Sequence, residues 1–349
     1  MAAAAMATVG GLACAGLVGA IALTLHFPSD TEPIDVVSGD APALVRDRPI
    51  KVLSWNVQFS AGRANEFFYD GGTAVSVTDA EVEATLAGLV SVIQRHDPDI
   101  VVLQEVDRGS RRTGYGDQYI QLLEALGYPS HASTPYHRAP YVPAPGHEHM
   151  GRVDMHLAVF SRYALASGTR HQLSLIDEPW WRQLFNLRRA LMEVHVPIAG
   201  GGELVLLNTH LSAFSGGDGT LSKQIGQLQE RMGALGHTPY VLAGDLNALP
   251  PGDDRLRLPE RDQALYEPET WPVAPLFEIA TPAVPLTELR ADPQPWRTYV
   301  DFGETVPDRT IDYLFYGPAV EGLTFGVDSA AHGWSDHLPL VATLVVHGD

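Results

Sequence analysis

At 349 residues and 45% apolar content, with 33 Gly and 26 Pro, the chain has the composition of a loop-rich globular protein, and one large folded domain is expected. Its 23 Lys and Arg face 42 Asp and Glu, a net charge of −19, which disfavours loose binding along a polyphosphate backbone but is compatible with a small phosphate or one held through a metal. The single cysteine, Cys14, excludes an intrachain disulfide.

Residues 1–27 contain no Lys, Arg, Asp or Glu and are almost entirely Ala, Gly, Leu, Val and Ile. That length can span a bilayer, although the run is weakly hydrophobic and lacks a basic n-region. It reads as a signal peptide or signal anchor, which implies an extracytoplasmic protein, secreted or membrane-anchored; a disordered extension is the alternative. Residues 28–48, with Pro28, Pro33 and Pro42 among acidic and small polar residues, read as a linker. The domain proper is expected over 49–349.

Within it, Ile50 to Val57 alternates as a strand and carries Asn56 at its end. Thr78 to Glu81 is a capping box, and Val82, Leu86, Leu89 and Ile93 follow at helical spacing until Pro98 forces a stop. Asp99 to Val106 is a buried strand whose exit carries Glu105. A helix is expected over Gln118 to Leu126. From Tyr128 to Asp154 the many prolines predict a mobile loop; it holds His131, His137, His147 and His149, with His156 just beyond, but no repeated metal-ligand spacing. Pro179 to Arg189 interleaves two Trp, a Phe and three Arg, a pattern suited to a lipid surface, a substrate phosphate or simple packing.

Ala190 to Val196 and Glu203 to Thr209 read as a hairpin through Gly200, Gly201 and Gly202, with Asn208 and His210 at the mouth of the second strand. Thr220 to Leu235 is predicted helical, and the short strand from Tyr240 to Ala243 delivers Asp245 and Asn247. After an irregular Pro-rich segment, Thr310 to Tyr316 alternates with Asp312 on one face. Trp334 to Leu340 then sets Asp336 and His337 just ahead of a final apolar strand. Polar residues at the ends of several strands are how a sheet-based fold assembles a site.

The motifs WNV, LQEV, NTHLS, GDLNA, TIDYLF and SDHLP succeed one another between Ser54 and Leu340. In this order they resemble the endonuclease/exonuclease/phosphatase superfamily, which includes deoxyribonuclease I-like nucleases, abasic-site endonucleases, inositol-polyphosphate phosphatases and bacterial sphingomyelinases. The resemblance implies an α/β (α+β) fold, a four-layered sandwich of two mostly antiparallel sheets flanked by helices. It also implies cleavage of phosphate esters with a divalent cation, Mg²⁺ foremost, with Mn²⁺ or another divalent ion as the alternative. Glu105 is then the natural hard-oxygen ligand, Asn56 positions the metal or its water, and Asp336 can reach the same ion. Asp245 orients or deprotonates the attacking water, and Asn247 holds the phosphate or the nucleophile. His337 contacts the scissile phosphate with its tautomer set by Asp312. His210 donates to a phosphate oxygen or protonates the leaving group, and Asn208 supports it at the phosphate.

One departure is informative. Abasic-site endonucleases tend to carry an acidic residue two positions after the Asn of WNV, and here that position is Gln58. That weakens the abasic-endonuclease reading, while the apolar N-terminus, the acidic balance and the Trp/Arg loop favour an extracytoplasmic, membrane-associated phosphodiesterase or phosphatase acting on a phospholipid head group or a small phosphoester. A secreted or anchored nuclease would need a basic groove, for which Arg108, Arg111, Arg112, Arg182, Arg188 and Arg189 are the candidates. An inactive binding module is disfavoured because Glu105, Asp245, Asp312 and His337 are all present. Nothing in the sequence indicates an oligomeric state.

Overall fold

The computed structural model describes residues 28–213, 217–266 and 270–348; the apolar segment 1–27 lies outside the described residues. Among those described, no helix is long and apolar enough to cross a membrane.

Two seven-stranded sheets form the body. The first runs β1 (Thr31–Pro33), β7 (Ser167–Gln172), β8 (Ala190–Pro197), β9 (Glu203–His210), β10 (Tyr240–Asp245), β12 (Asp312–Tyr316) and β11 (Thr281–Pro282). The second runs β13 (Val320–Val327), β14 (Leu340–Val346), β3 (Pro49–Asn56), β4 (Ile100–Asp107), β6 (Gly151–Ser161), β5 (Ser130–Val142) and β2 (Val36–Ser38). Pairing is antiparallel except for β3 with β4 and β9 with β10. Each parallel pair needs a long crossover, and in both cases a helix supplies it. The Asp79–His96 helix joins β3 to β4, and the Thr220–Ala234 helix joins β9 to β10.

The layers follow from strand periodicity. Along β9, Leu204 and Leu206 enter the core between the sheets, whereas Val205 and Leu207 enter a second core with Leu221, Ile225 and Leu228 of the Thr220–Ala234 helix. Strand β10 splits the same way, Val241 and Ala243 inward and Tyr240 and Leu242 toward the helix. The Asp79–His96 helix starts at the predicted capping box, in which Thr78 Oγ1 accepts from the Glu81 N–H and the Glu81 carboxylate accepts from the Thr78 N–H at 2.8 Å. It ends at Asp97, which is left-handed with φ 50°.

Two expectations need correction. Residues 28–48 are not a free linker: β1 pairs with β7 at the edge of the first sheet, and β2 pairs with β5 at the edge of the second. Leu44, which follows β2 in the chain, is fully buried in the inter-sheet core. Three-residue edge strands are too short to show a period. Nor is 128–154 one mobile loop, because β5 and β6 form a long hairpin through most of it. Within β5, Pro135 and Pro140 fall at irregularities, with register shifts between Pro135 and His137 and between Ala139 and Val142, and Pro129, Pro143 and Pro145 lie outside the paired strands. The histidines there are dispersed: His131 bonds Tyr119 at 2.6 Å, His137 the Phe185 carbonyl at 3.0 Å, and His156 Asp154 at 2.9 Å. Strands β7, β11 and β13 were not legible in the sequence, β7 because SGTRHQ carries no apolar alternation.

Candidate active site

Strand register builds the site. In the first sheet Asp245 pairs with His210 on one side and with Asp312 on the other, so three adjacent strands end on titratable side chains at one level. In the second sheet β3 ends on Asn56, and β4 presents Glu105 from a bulge between Leu103 and Val106, where Glu105 is left-handed with φ 59°. A non-glycine residue is held in that conformation only by its surroundings, and the bulge re-aims its side chain toward the other sheet. Asn56 closes the gap: its amide donates to Glu105 Oε1 and to Asp245 Oδ2, each at 3.1 Å.

Gly244 makes this register possible. Its φ is 149°, and an added Cβ would lie 2.0 Å from the Thr209 carbonyl oxygen of the neighbouring strand. Gly244→Ala should therefore cost roughly 3 kcal/mol through overpacking and backbone strain. Chemical denaturation of the variant checks this, and an unchanged midpoint would count against the close approach of β9 and β10.

Around Asp245 the contacts are dense. Its Oδ1 accepts the Asn247 N–H at 3.0 Å, while Oδ2 lies 3.2 Å from His210 Nε2 and 3.6 Å from His337 Nε2. Burial pushes the Asp245 carboxyl up to about 7, against the pull of the nearby His337 charge. His337 Nδ1 meets Asp312 Oδ2 at 2.8 Å, and the Trp55 indole holds the His337 carbonyl at 2.8 Å. Burial alone would lower the His337 pKa, but the carboxylates of Asp312 and Asp245 outweigh it and hold the pKa well above the ordinary imidazole range. The ring is thus an imidazolium clamped between two carboxylates.

His210 is the opposite case. Burial, then the charges of Arg189 and His337, hold its pKa well below the usual value. A neutral ring with Nδ1 accepting from the Tyr136 hydroxyl at 3.1 Å presents Nε2–H to Asp245. In this arrangement the ring is a donor aimed at Asp245. The assignment of Asn208 to phosphate binding also needs correction. Asn208 lies two residues before the mouth, roughly 7 Å further in. Its amide donates to the carbonyls of Leu103 at 3.0 Å and Ala158 at 3.1 Å, and its Oδ1 accepts from Gln104 at 2.8 Å. It ties the two sheets together beneath the site.

Asn247, left-handed with φ 49°, is anchored by its amide to the Leu211 carbonyl at 2.9 Å. Gln58 uses its N–H on Asn56 Oδ1 at 3.0 Å and its side-chain oxygen on the Asp336 N–H at 3.3 Å. It pins Asp336 without adding a charge. These residues open into a cleft of about 280 Å³ that Glu105, Asp336, Asp245, Asn247, His210 and His337 share. Three further contributors escaped the sequence reading. Tyr136 orients His210, and Asp70, its carboxyl pushed up to about 8 by burial and then by Asp336 and Glu105, faces the same space. Arg189, which the sequence offers in a segment suited to a lipid surface, a substrate phosphate or a basic patch, is buried at the cleft, and its Nη1 has no hydrogen-bond partner. An arginine placed directly before the buried run ALMEV was the one available signal.

Two groups of side chains suit a cation differently. Asp245, Asp312 and His337 bring ligand atoms within 4.8 Å of one another, but the hydrogen bond between His337 and Asp312 already uses that geometry. Glu105 instead has its carboxyl raised by burial and then by the charge of Asp336, only partly offset by Arg112, the Asn56 hydrogen bond and His337, and these two carboxylates on one cleft suit a hard divalent cation.

A two-sheet sandwich whose strand ends bring carboxylates, imidazoles and a buried guanidinium to one cleft defines a hydrolytic acid–base site. Residues 53–337 match the model of the Endonuclease/Exonuclease/phosphatase family, and the chain belongs to that family, whose members are phosphoester hydrolases dependent on a divalent metal. Among solved structures it is similar to an endonuclease/exonuclease/phosphatase from Beutenbergia cavernae DSM 12333, with 26% identity, TM-score 0.59, and coverage of 86% of this chain and 72% of that one. The fold is also that of the human Nocturnin catalytic domain, at 20% identity, TM-score 0.56 and coverage of 89% and 96%. ANGEL2, a 2',3'-cyclic phosphatase, shares it at 16% identity, TM-score 0.57 and coverage of 90% and 99%. No curated protein matches the sequence.

Proposed function

We propose that the protein is an extracytoplasmic, Mg²⁺-dependent phosphodiesterase or phosphatase acting on a phospholipid head group or a related small phosphoester. The observation that carries the chemistry is the buried Asp245 carboxylate, held by Asn56, Asn247, His210 and His337 beside the converging oxygens of Glu105 and Asp336. A divalent cation held by Glu105, Asp336 and Asn56 would neutralise charge on the phosphoryl oxygens, Mg²⁺ suiting an all-oxygen set with few carboxylates.

The chain's own groups do the rest. Asp245 orients a water and takes one of its protons as the water oxygen attacks phosphorus and the bond to the leaving oxygen breaks, the leaving group departing as an alkoxide that takes its proton from solvent. His337, kept protonated by Asp312, and the buried Arg189 guanidinium stabilise the negative charge of the transition state. Asn247 holds the phosphate or the water, and His210 keeps the Asp245 carboxylate aimed.

The substrate class is supported by charge. Of the arginines that would make a nuclease groove, Arg108 pairs with Asp117 at 2.9 Å, Arg111 with Glu148 at 3.2 Å, and Arg112 is buried on Asp107 at 2.9 Å. With three of the six candidate arginines self-neutralised and a net charge of −19, the chain offers a nucleic-acid backbone little to bind. The apolar residues 1–27 and the exposed Trp180 and Trp181 favour a lipid surface. Incubation of the full-length chain with Mg²⁺ or EDTA against phospholipid vesicles, inositol phosphates and plasmid DNA tests this. Mg²⁺-dependent release of a head group or of inorganic phosphate with intact DNA is expected; nicked DNA beside untouched small phosphoesters would overturn it.

A further inference from the structure

A second cavity, of about 560 Å³, lies beside the catalytic cleft, and Tyr69, Glu105 and Arg189 line both. Much of its lining is carbon, including Phe68, Val142, Met150, Trp181, Phe185 and Leu187. Polar side chains that face it are mostly committed. His137 bonds the Phe185 carbonyl at 3.0 Å, Asn186 donates to Glu178 at 2.8 Å, and Arg112 is locked on Asp107 at 2.9 Å. At the rim the Arg182 guanidinium sits 5.2 Å over the Trp181 ring.

The cavity is thus largely apolar, and where it meets the cleft the Arg189 guanidinium stands beside the Glu105 carboxylate and the Tyr69 hydroxyl. Arg189, whose buried Nη1 lacks a partner, stands at that junction, the place where an anion would satisfy it. A nucleobase would need free donors and acceptors to read its edges, and the committed polar groups supply few. A hydrocarbon needs none. We propose, resting on the phosphoester-hydrolase reading above, that this cavity takes the aliphatic portion of the substrate, so that the enzyme selects phosphoesters bearing a nonpolar chain, with the phosphate on Arg189 and the chain against Met150, Phe185 and Leu187. The segment that carried two Trp and three Arg in the sequence is the wall of this cavity. Its role is then to recognise the substrate's chain as well as to meet a surface.

The test separates binding from hydrolysis. Methyl-, butyl- and octylphosphonate, which cannot be hydrolysed at the P–C bond, are titrated calorimetrically into the full-length chain with Mg²⁺, together with a nucleoside monophosphate. Affinity should rise at least tenfold from methyl to octyl, and octylphosphonate should bind more tightly than the nucleotide. Leu187→Trp, which fills the cavity, should remove the gradient, and Trp181→Ala, an exposed site that the fold tolerates, should weaken octyl binding several-fold. Equal affinity along the series, a gradient that survives both substitutions, or tighter binding of the nucleotide would overturn the assignment. The matching methyl, butyl and octyl 4-nitrophenyl phosphates report hydrolysis. A binding gradient without 4-nitrophenol release would leave the chain-binding cavity standing and remove the hydrolase reading; release without any chain-length dependence would do the reverse.

Discussion

Asp245→Asn should lower kcat for a phosphodiester by about 10³- to 10⁴-fold while leaving the circular dichroism spectrum unchanged. The amide keeps the shape of the carboxylate but cannot take a proton from water. His337→Ala should cost a similar factor, because it removes the imidazolium that faces Asp245 at 3.6 Å and leaves Asp312 buried without its partner. The two act as one unit, so the double variant should be little worse than either single one. In the wild type, activity should fall as the pH drops below about 7 and Asp245 gains a proton, and fall again at high pH as the His337 imidazolium is lost. Near wild-type turnover in both single variants, measured by phosphate or alcohol release, would remove the assigned mechanism.

Removal of the divalent cation should be equally severe. Chelation with EDTA should bring turnover down by more than about 10³-fold, and added Mg²⁺ should restore it. Glu105→Gln should raise the Mg²⁺ concentration for half-maximal activity by more than tenfold, since a neutral amide replaces the carboxylate that Asp336 repels in the metal-free site. A readout independent of turnover is available. Mg²⁺ binds only the native state and should raise Tm in the wild type, an effect that Glu105→Gln should reduce or abolish. Because burial and Asp336 favour the protonated form of Glu105, protons compete with the cation, and the Mg²⁺-induced rise in Tm should be larger at pH 8 than at pH 5.5. A full rate in EDTA, or an identical Mg²⁺ response in Glu105→Gln, would show that the ion does not act through Glu105.

Much of the site was legible because its residues end elements with strong local signals. Asp245 closes a strand whose members are all buried, and Glu105 leaves one whose preceding residues are, so a polar residue at that exit has no packing role. The capping box and helical spacing located the Asp79–His96 helix to within a residue. Failures came where the local signal is weak or points elsewhere. The β5–β6 hairpin is held by cross-strand pairing that tolerates Pro at bulges, and β1 and β2 exist only because the body of each sheet offers an edge.

The roles of individual side chains divide along the same line. By itself the sequence determined the strands and helices that carry the site, the carboxylates and imidazoles at those strand ends, and, through six short motifs, the family, because each of those depends on residues close together in the chain. It could not determine that Asn208 faces inward to bind the carbonyls of the opposite sheet, that His210 is kept neutral by burial and by the charges of Arg189 and His337, or that Arg189 is a buried cation. Those are properties of which side chains from distant segments meet, and of how little water remains between them. Desolvation and the sign of the nearest charge set each pKa. Only the packing of one sheet on the other decides both.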